Sequence, residues 1–354
     1  MPSSSPPSPV LAALVTRRYP ISEEVWGDFW DRLRARELHP GEALAVVASL
    51  TTHLPDGASV AALLRSLRAR NEQPAAPART TVNIVGTGGG PSTFNLSTAS
   101  AFVAAALGAR VIKTGSRAYA SRTGSVDLLD RLGMPQTTSY AQTEEMLDTY
   151  GMACAGAFVY PKELRILARQ ILPFDMKTMG RFFNVIGPFL AAVPVSTQIT
   201  GVSDHAVLPT FRELAAADET RRFWLCSNEL GCDELLSITP SQVYDSEDGR
   251  EFILDPAAIG LSERPFDDLL PVDDLDSTVS HFLALIGGDG PPGAIESIQL
   301  NAGALAINGG VADDWPQALE MAAEAMRSGA PAALIERMRN HGKESSVGSA
   351  AGGV

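Results

Sequence analysis

The sequence predicts an α/β protein: a small all-helical N-terminal domain, then a larger α/β domain with a central, largely parallel sheet flanked by helices. Three observations lead there. Residues 10 to 72 carry helical signals only. From Thr80 onward, short β-branched runs alternate with helical runs, the pattern of parallel strands joined through helices. Between them Glu72 to Arg79, EQPAAPAR, is a Pro/Ala linker without periodicity, where a domain hinge is expected. At 354 residues the chain also exceeds the roughly 250 to 300 at which single cores stop growing.

In order along the chain, residues 1–9 are Ser/Pro-rich and read as a mobile end. Ser22 before Glu23 and Glu24 is a capped helix start, and Glu42 to Leu50 is apolar at helical spacing, with Pro20, Pro40 and Pro55 separating the helices. A later helical segment could complete this domain. VNIV (Val82 to Val85) is a strand, Leu96 to Leu107 a helix, RVIK (Arg110 to Lys113) a second strand and Val126 to Leu132 a second helix. MACAGAFV (Met152 to Val159) is strand-like, Lys162 to Ile171 helical and FWLC (Phe223 to Cys226) another strand. Glu296 to Ile307, Trp315 to Arg327 and Pro331 to Arg339 are C-terminal helices, the first stopped by Gly309-Gly310. The α/β domain is set at residues 80–343, and 344–354, rich in Ser, Gly and Ala, reads as a flexible tail.

Composition removes several function classes. With 45% apolar and 19% charged residues the chain can build a core. A net charge of −13 argues against general nucleic-acid affinity, so any anion needs a local site. Cys154, Cys226 and Cys232 form no CxxC and cannot all pair, which suggests neither a disulfide framework nor a zinc module and points to the cytoplasm. The N-terminus lacks the regions of a signal peptide, and no apolar run reaches membrane-spanning length, so no membrane role is expected. The five histidines form no HExxH and no close pair, and no GxSxG occurs, so a metal hydrolase or a nucleophile triad has no support.

One local site stands out. From Gln73 to Val126 there is no Asp or Glu, while Arg79, Arg110, Lys113, Arg117 and Arg122 are basic. Two strand, glycine-loop and helix units lie inside this stretch, VNIV-GTGGGPSTFNLSTA and RVIK-TGSRAYASRTGS. Gly86, Gly88, Gly89 and Gly90 let main-chain N–H groups approach an anion, and the following helix aims its positive end the same way. Asn95, Ser97 and Thr98 add donors, and Lys113 and Arg117 add charge-assisted ones. A glycine cluster alone is as readily a tight turn, but two such loops with cations between them are harder to dismiss. The Rossmann fingerprint fails, because Pro91 occupies its third glycine position, and GxxxxGK[ST] is absent. Lys113-Thr114-Gly115 matches a β-lactamase KTG by accident, since no SxxK accompanies it.

The second constellation is Asp233-Glu234 in GCDELLS, on the loop after FWLC. Alone it reads as a solvated acidic turn. Beside a polyanion site it reads as a Mg²⁺ site, since Mg²⁺ favours one or two carboxylates plus substrate phosphates. Asp267-Asp268 and Asp273-Asp274 lack a flanking strand or glycine turn and read as surface.

Residues 86 to 133, GTGGGPSTFNLSTASAFVAAALGARVIKTGSRAYASRTGSVDLLDRLG, closely resemble the core of the anthranilate phosphoribosyltransferases, whose pattern is GTGGDG, a spacer and TFNxST, then KHGNR and a GSxDLL helix. FNVIGP at Phe183 to Pro188 resembles the family's FNxLGP, GCDELLS its GxDExS and NAGALAINGG its late helix, so the likeness runs from about Leu11 to Arg339. The resemblance implies an active site at the hinge between the two domains, a homodimer joined through the helical domain, and an architecture shared with pyrimidine nucleoside phosphorylases.

Carried over by position, Gly86, Thr87, Gly88, Gly89, Gly90, Asn95, Ser97, Thr98 and Lys113 would bind 5-phosphoribosyl 1-pyrophosphate, with Asn95 and Lys113 catalytic. Ser97, Asp233 and Glu234 would hold Mg²⁺. Thr114, Gly115, Ser116, Arg117, Ser121, Gly180 and Arg181 would complete the substrate site, which takes a small aromatic acceptor. The implied chemistry is displacement of pyrophosphate from ribose C1 through an oxocarbenium-like state. A nucleoside phosphorylase, or a non-catalytic ligand-binding homologue, remains the alternative. The departures matter: the aspartate of GTGGD is Gly90 and the spacer is one residue shorter. The His and Asn of KHGNR are Thr114 and Ser116, and the arginine that faces the anthranilate carboxylate falls on Gly180, with Arg181 beside it as a candidate substitute. The transfer machinery is kept and the acceptor groups are changed, which points to a specialised pathway and a poor fit for anthranilate.

Overall fold

The computed structural model describes residues 6–116, 124–272, 274 and 276–351, the last nine by backbone alone. Four helices open the chain: α1 (Pro9–Thr16), α2 (Glu23–Ala35), α3 (Glu42–Thr52) and α4 (Gly57–Arg68). Ser22 caps α2 by accepting from the Val25 N–H, as its position before two glutamates predicts. Within the expected mobile end of nine residues, Ser8 is buried, caps α1 and donates its N–H to Glu42 at 2.6 Å. Trp26, Phe29 and Trp30 of α2 are fully buried, the two indoles stacked with ring centroids 5.9 Å apart and their N–H groups bonded to Ser59 and Ser66 of α4.

The remainder alternates strand and helix: β1 (Val82–Gly86), α5 (Leu96–Ala106), β2 (Val111–Lys113), α6 (Ser125–Leu132), β3 (Gln136–Thr137), α7 (Tyr140–Tyr150) and β4 (Met152–Ala155). Then come α8 (Lys162–Arg169), α9 (Met176–Met179), α10 (Arg181–Leu190), β5 (Thr197–Gly201), α11 (Leu208–Ala216), β6 (Arg222–Asn228), β7 (Ser241–Asp245) and β8 (Glu251–Leu254). The chain closes with α12 (Thr278–Ile286), α13 (Pro292–Asn308), α14 (Trp315–Arg327) and α15 (Ala330–Ala351). Among the described residues one eight-stranded sheet forms in the order β3-β4-β2-β1-β5-β6-β7-β8, parallel as far as β6 and antiparallel in its last two strands.

The strand expected over Met152 to Val159 stops at Ala155, where Gly156 turns the chain into a short 3-10 turn. The last helix continues past residue 344 to Ala351, where a flexible tail is expected. Two apolar clusters form. One packs α5, α12, α13 and α15 on the sheet. The other joins α1 to α4 with residues of α8, α10 and α11, among them Leu164, Phe183 and Phe211. Arg68 of α4 ties the helices to the sheet side, donating to the Phe189 carbonyl at 2.8 Å and to the buried carboxylate of Asp218 at 2.7 Å. No helix of the described residues is long and apolar enough to cross a membrane.

Candidate active site

A cavity of about 490 Å³ lies over the carboxyl ends of β1, β2 and β4, the edge where parallel sheets place ligands. Its opposite wall is α8, α9 and α10. The two walls belong to the two apolar clusters, so the cavity is the seam between them.

The first glycine loop leaves β1 and turns through Gly88 and Gly89, both at positive φ (+65° and +89°), which glycine adopts without strain. Into this loop comes the turn after β6. Asp233 accepts the Gly88 N–H at 2.6 Å; Glu234 accepts the Thr93 hydroxyl at 2.5 Å and the Ser97 N–H at 3.3 Å. The approach is so close that a Cβ on Gly86 would stand 1.8 Å from the Asp233 carboxylate. Asn228, buried at the end of β6, shapes the turn by donating to the carbonyls of Cys232 and Glu234 and accepting from the Cys232 N–H. Ser203 clasps the loop from β5, donating its hydroxyl to the Gly88 carbonyl at 2.5 Å. Neither Asn228 nor Ser203 belongs to the expected site, and nothing in their local sequence singles them out.

Lys113, at the end of β2, is 1% exposed and donates to the Thr114 carbonyl at 2.6 Å. Burial pulls its pKa down to about 8, against the pull of Cys154, Glu234 and Asp233, which favours the charged form. The Asp233 and Glu234 carboxyls are pushed above the carboxylate range, first by burial and, for Glu234, by the charge of Asp233.

The structure brings Gly86, Gly88, Gly89, Gly90, Asn95, Ser97, Lys113, Gly115, Ser116, Asp233 and Glu234 around one cavity. Other expected site residues fall elsewhere. Thr87 and Thr114 are buried behind the wall, where Thr87 accepts from the Ser203 N–H and Thr114 pairs with Asn83. Thr98 is buried in α5, its hydroxyl without a partner among the described residues. Gly180 and Arg181 do not line the cavity: Arg181 pairs with Asp204 and donates to the Thr51 carbonyl at 3.1 Å. Arg117 and Ser121 lie outside the described residues. Of the basic stretch, Arg79 and Arg110 spend their charge on Asp148 and Glu144 of α7 and take no part in the cavity. Asp268, expected at the surface, is half-buried and accepts from the Gly293 N–H at the start of α13.

Residues 78–332 match the family described as glycosyl transferase family, a/b domain. An anthranilate phosphoribosyltransferase from Desulforudis audaxviator is 32% identical over 310 residues, covering 85% of this chain and 88% of that protein. Another from Methylorubrum extorquens is 32% identical over 334 residues, covering 92% and 96%. The chain belongs to the anthranilate phosphoribosyltransferase family. It is a phosphoribosyltransferase. The crystal structure of the Thermus thermophilus anthranilate phosphoribosyltransferase superposes with a TM-score of 0.76 at 25% identity, covering 94% of this chain and 99% of that one. The Saccharomyces cerevisiae enzyme, solved in complex with phosphoribosyl pyrophosphate and Mg, shares the fold with a TM-score of 0.78 at 21% identity, covering 95% and 97%.

Within this phosphoribosyltransferase the altered glycine loop has a steric reason. A Cβ at Gly90 would stand 2.1 Å from the Gly231 carbonyl oxygen, so the position where the family pattern has aspartate has no room here for any side chain. At the other end of the cavity, Ser116 donates its hydroxyl to Asn184 of α10 at 2.9 Å, bridging the second loop to the helical wall.

Proposed function

We propose that this member transfers the phosphoribosyl group of 5-phosphoribosyl 1-pyrophosphate, with Mg²⁺, to a small aromatic acceptor other than anthranilate. The observation that carries the reading is the fate of the guanidinium expected near the acceptor: Gly180 has none, and Arg181 beside it is committed to Asp204 and Thr51. An aromatic carboxylate left without paired donors in a dry pocket costs several kcal/mol by general estimates, roughly 2 or more.

The residues fit a hard divalent cation shared with a substrate. Two adjacent carboxyls raised by burial, Glu234 also by the charge of Asp233, are short of positive charge. Among the described residues no cluster of three or more His, Cys, Asp or Glu is arranged to hold a metal, so Asp233, Glu234 and Ser97 would supply part of a coordination sphere that phosphate oxygens complete. When bound, Mg²⁺ supplies charge neutralisation on the departing pyrophosphate. The glycine loop and the positive end of α5 line the cavity where phosphate would sit, and Lys113 gives a buried positive charge beside them. As the bond from ribose C1 to pyrophosphate breaks, the acceptor nitrogen forms its bond to C1 and gives up a proton to solvent or a neighbouring acceptor. The helical wall holds the ring in line and keeps water from C1.

The test is kcat/KM for anthranilate at saturating donor and Mg²⁺. A value above about 10⁴ M⁻¹s⁻¹, usual for an enzyme on its own substrate, overturns the altered-acceptor reading. Negligible turnover, with a melting temperature raised by phosphoribosyl pyrophosphate and Mg²⁺, supports it. A rise with phosphate plus nucleoside instead would place the chain with the phosphorylases.

A further inference from the structure

The turn that carries Asp233 and Glu234 is held by side chains in place of main-chain bonds. Among the described residues, no hydrogen bond between main-chain groups is made anywhere from residue 232 to residue 236. Two buried asparagines take that place. Asn228, at the end of β6, donates its amide to the carbonyls of Cys232 and Glu234, at 3.1 and 3.0 Å, and accepts from the Cys232 N–H at 3.2 Å. Asn301, on α13, donates to the Leu235 carbonyl at 2.6 Å and accepts from the Leu235 N–H at 3.4 Å. It opens the NAGALAINGG segment, to which the proposed transfer gives no part.

The two amides therefore fix the chain on either side of the acidic pair. The carboxylates between them diverge, Asp233 toward the Gly88 N–H and Glu234 toward Thr93 and the Ser97 N–H. Burial raises both carboxyls, and the charge of Asp233 raises Glu234 further, so a slack turn would let them part. Asn228 is 4% exposed and Asn301 fully buried, so truncating either strands main-chain groups without partners. Neither lines the cavity. Ser237 anchors the same segment farther along, donating its N–H to the Ser297 hydroxyl at 3.0 Å and its own hydroxyl to the Gly293 carbonyl at 3.1 Å.

We infer that Asn228 and Asn301 are positioning residues for the cation site: their amides set the spacing and aim of the Asp233 and Glu234 carboxylates toward a shared divalent cation. This rests on the Mg²⁺-dependent transfer proposed above, and adds to it the residues that hold the ligands in place. Groups that orient metal ligands from behind change metal affinity by about ten- to hundredfold when they are removed.

The test is calorimetric titration of the full-length protein with phosphoribosyl pyrophosphate, with and without Mg²⁺ and in the absence of any acceptor. The ratio of the two donor dissociation constants reports how far the metal tightens the donor. That ratio is expected to fall about tenfold or more in Asn228→Ala and in Asn301→Ala, with the Mg²⁺-free constant unmoved. Asn228→Ser keeps an oxygen opposite the Cys232 N–H and should keep part of the ratio, and it is the variant to read if the alanine does not fold. Ser237→Ala, which breaks the neighbouring anchor, should lower the melting temperature and leave the ratio unchanged. A wild-type ratio in the folded Asn228 variants overturns the inference. So does an equal fall in Ser237→Ala, which would make the effect one of general loosening. Loss of Mg²⁺-free donor binding in the asparagine variants overturns it too, because the glycine loop and not the acidic turn would then be disturbed. Failure of the metal reading itself would show separately, as no effect of Mg²⁺ on donor binding by wild type.

Discussion

At the glycine-loop end of the cavity the wall is mostly main chain, pinned by Asp233, Asn228 and Ser203, whereas at the α8 to α10 end it is made of side chains on helices. The first end keeps most of the family's glycines and donors but has lost its aspartate, at Gly90, and one residue of spacer. At the second, the position of the family's arginine is Gly180, and the Ser116 that faces it from the second loop stands where the family has asparagine. A wall of backbone at contact distance tolerates no change one residue at a time, because a single added Cβ meets an atom 1.8 or 2.1 Å away. A wall of helix side chains can be exchanged singly, each at the modest cost of a surface substitution. Under the proposed transfer, the rigid end would carry the chemistry and the exchangeable end the selectivity.

The comparison breaks most visibly if the acidic pair is dispensable. Replacing Asp233 and Glu234 together by Ala should lower Mg²⁺-dependent pyrophosphate release by about a thousandfold or more, the scale of metal-assisted charge stabilisation. Turnover within tenfold of wild type would remove the metal assignment. Next in size is Lys113→Ala, expected to weaken donor binding by about 1.5 to 3 kcal/mol through loss of a charge-assisted bond. An unaltered donor dissociation constant in a titration would shift that role to Arg117 or Arg122.

Restoring the family aspartate tests the rigid end differently. Gly90→Asp should not improve the enzyme but destabilise it by about 1 to 3 kcal/mol, because the side chain must displace the Gly231 carbonyl. Urea unfolding measures this, and a variant as stable as wild type would show that the loop has slack. At the exchangeable end, Ser116→Ala breaks the bridge to Asn184 and should change the acceptor KM by less than about tenfold, the scale of one neutral hydrogen bond, with donor affinity unmoved. A larger fall in donor affinity would mean that the two ends are not separable.

The smallest effect is a control away from both ends. Burial alone would raise the Asp218 carboxyl, but the Arg221 and Arg68 guanidiniums beside it leave it below its ordinary 3.8. Its stabilising contribution is present above that value and fades as the pH falls through the lower, folded one. Asp218→Asn should flatten the acid limb of a melting curve taken between about pH 2 and 6, with no bias between donor and acceptor binding.

Much of the rigid end was legible because its parts are contiguous: a strand, four glycines and a capped helix occur within one short segment, and GCDELLS carries its own turn. The helical wall was less so. Arg165 lies in a stretch that reads simply as an amphipathic helix, and only the packing of α8 against α2 and α3 turns its face toward the cavity. The central strand β5 was missed because its buried residues are polar: Gln198 bonds to Asn83 and Arg221 inside the sheet, where a run of Val or Ile would have announced a strand. The β7-β8 hairpin did carry a signal, Asp248-Gly249 between alternating runs, that goes unread beside the stronger parallel pattern. Arg181 shows the limit from the other side, since adjacency in sequence suggested a substitute that Asp204 takes out of play.

Gly86 and Gly201 are paired neighbours at the ends of β1 and β5, and Asp233 rests against both: its carboxylate 1.8 Å from where a Cβ on Gly86 would be, its carbonyl 1.8 Å from one on Gly201. Three segments distant in sequence thus make a single socket. For anyone building chimaeras of such enzymes, these segments form one transplantable module: swapped together they preserve the seat of the acidic turn, while a crossover between any two risks joining a socket to a plug of another shape. Breakpoints before residue 86 or after residue 233 leave that module whole.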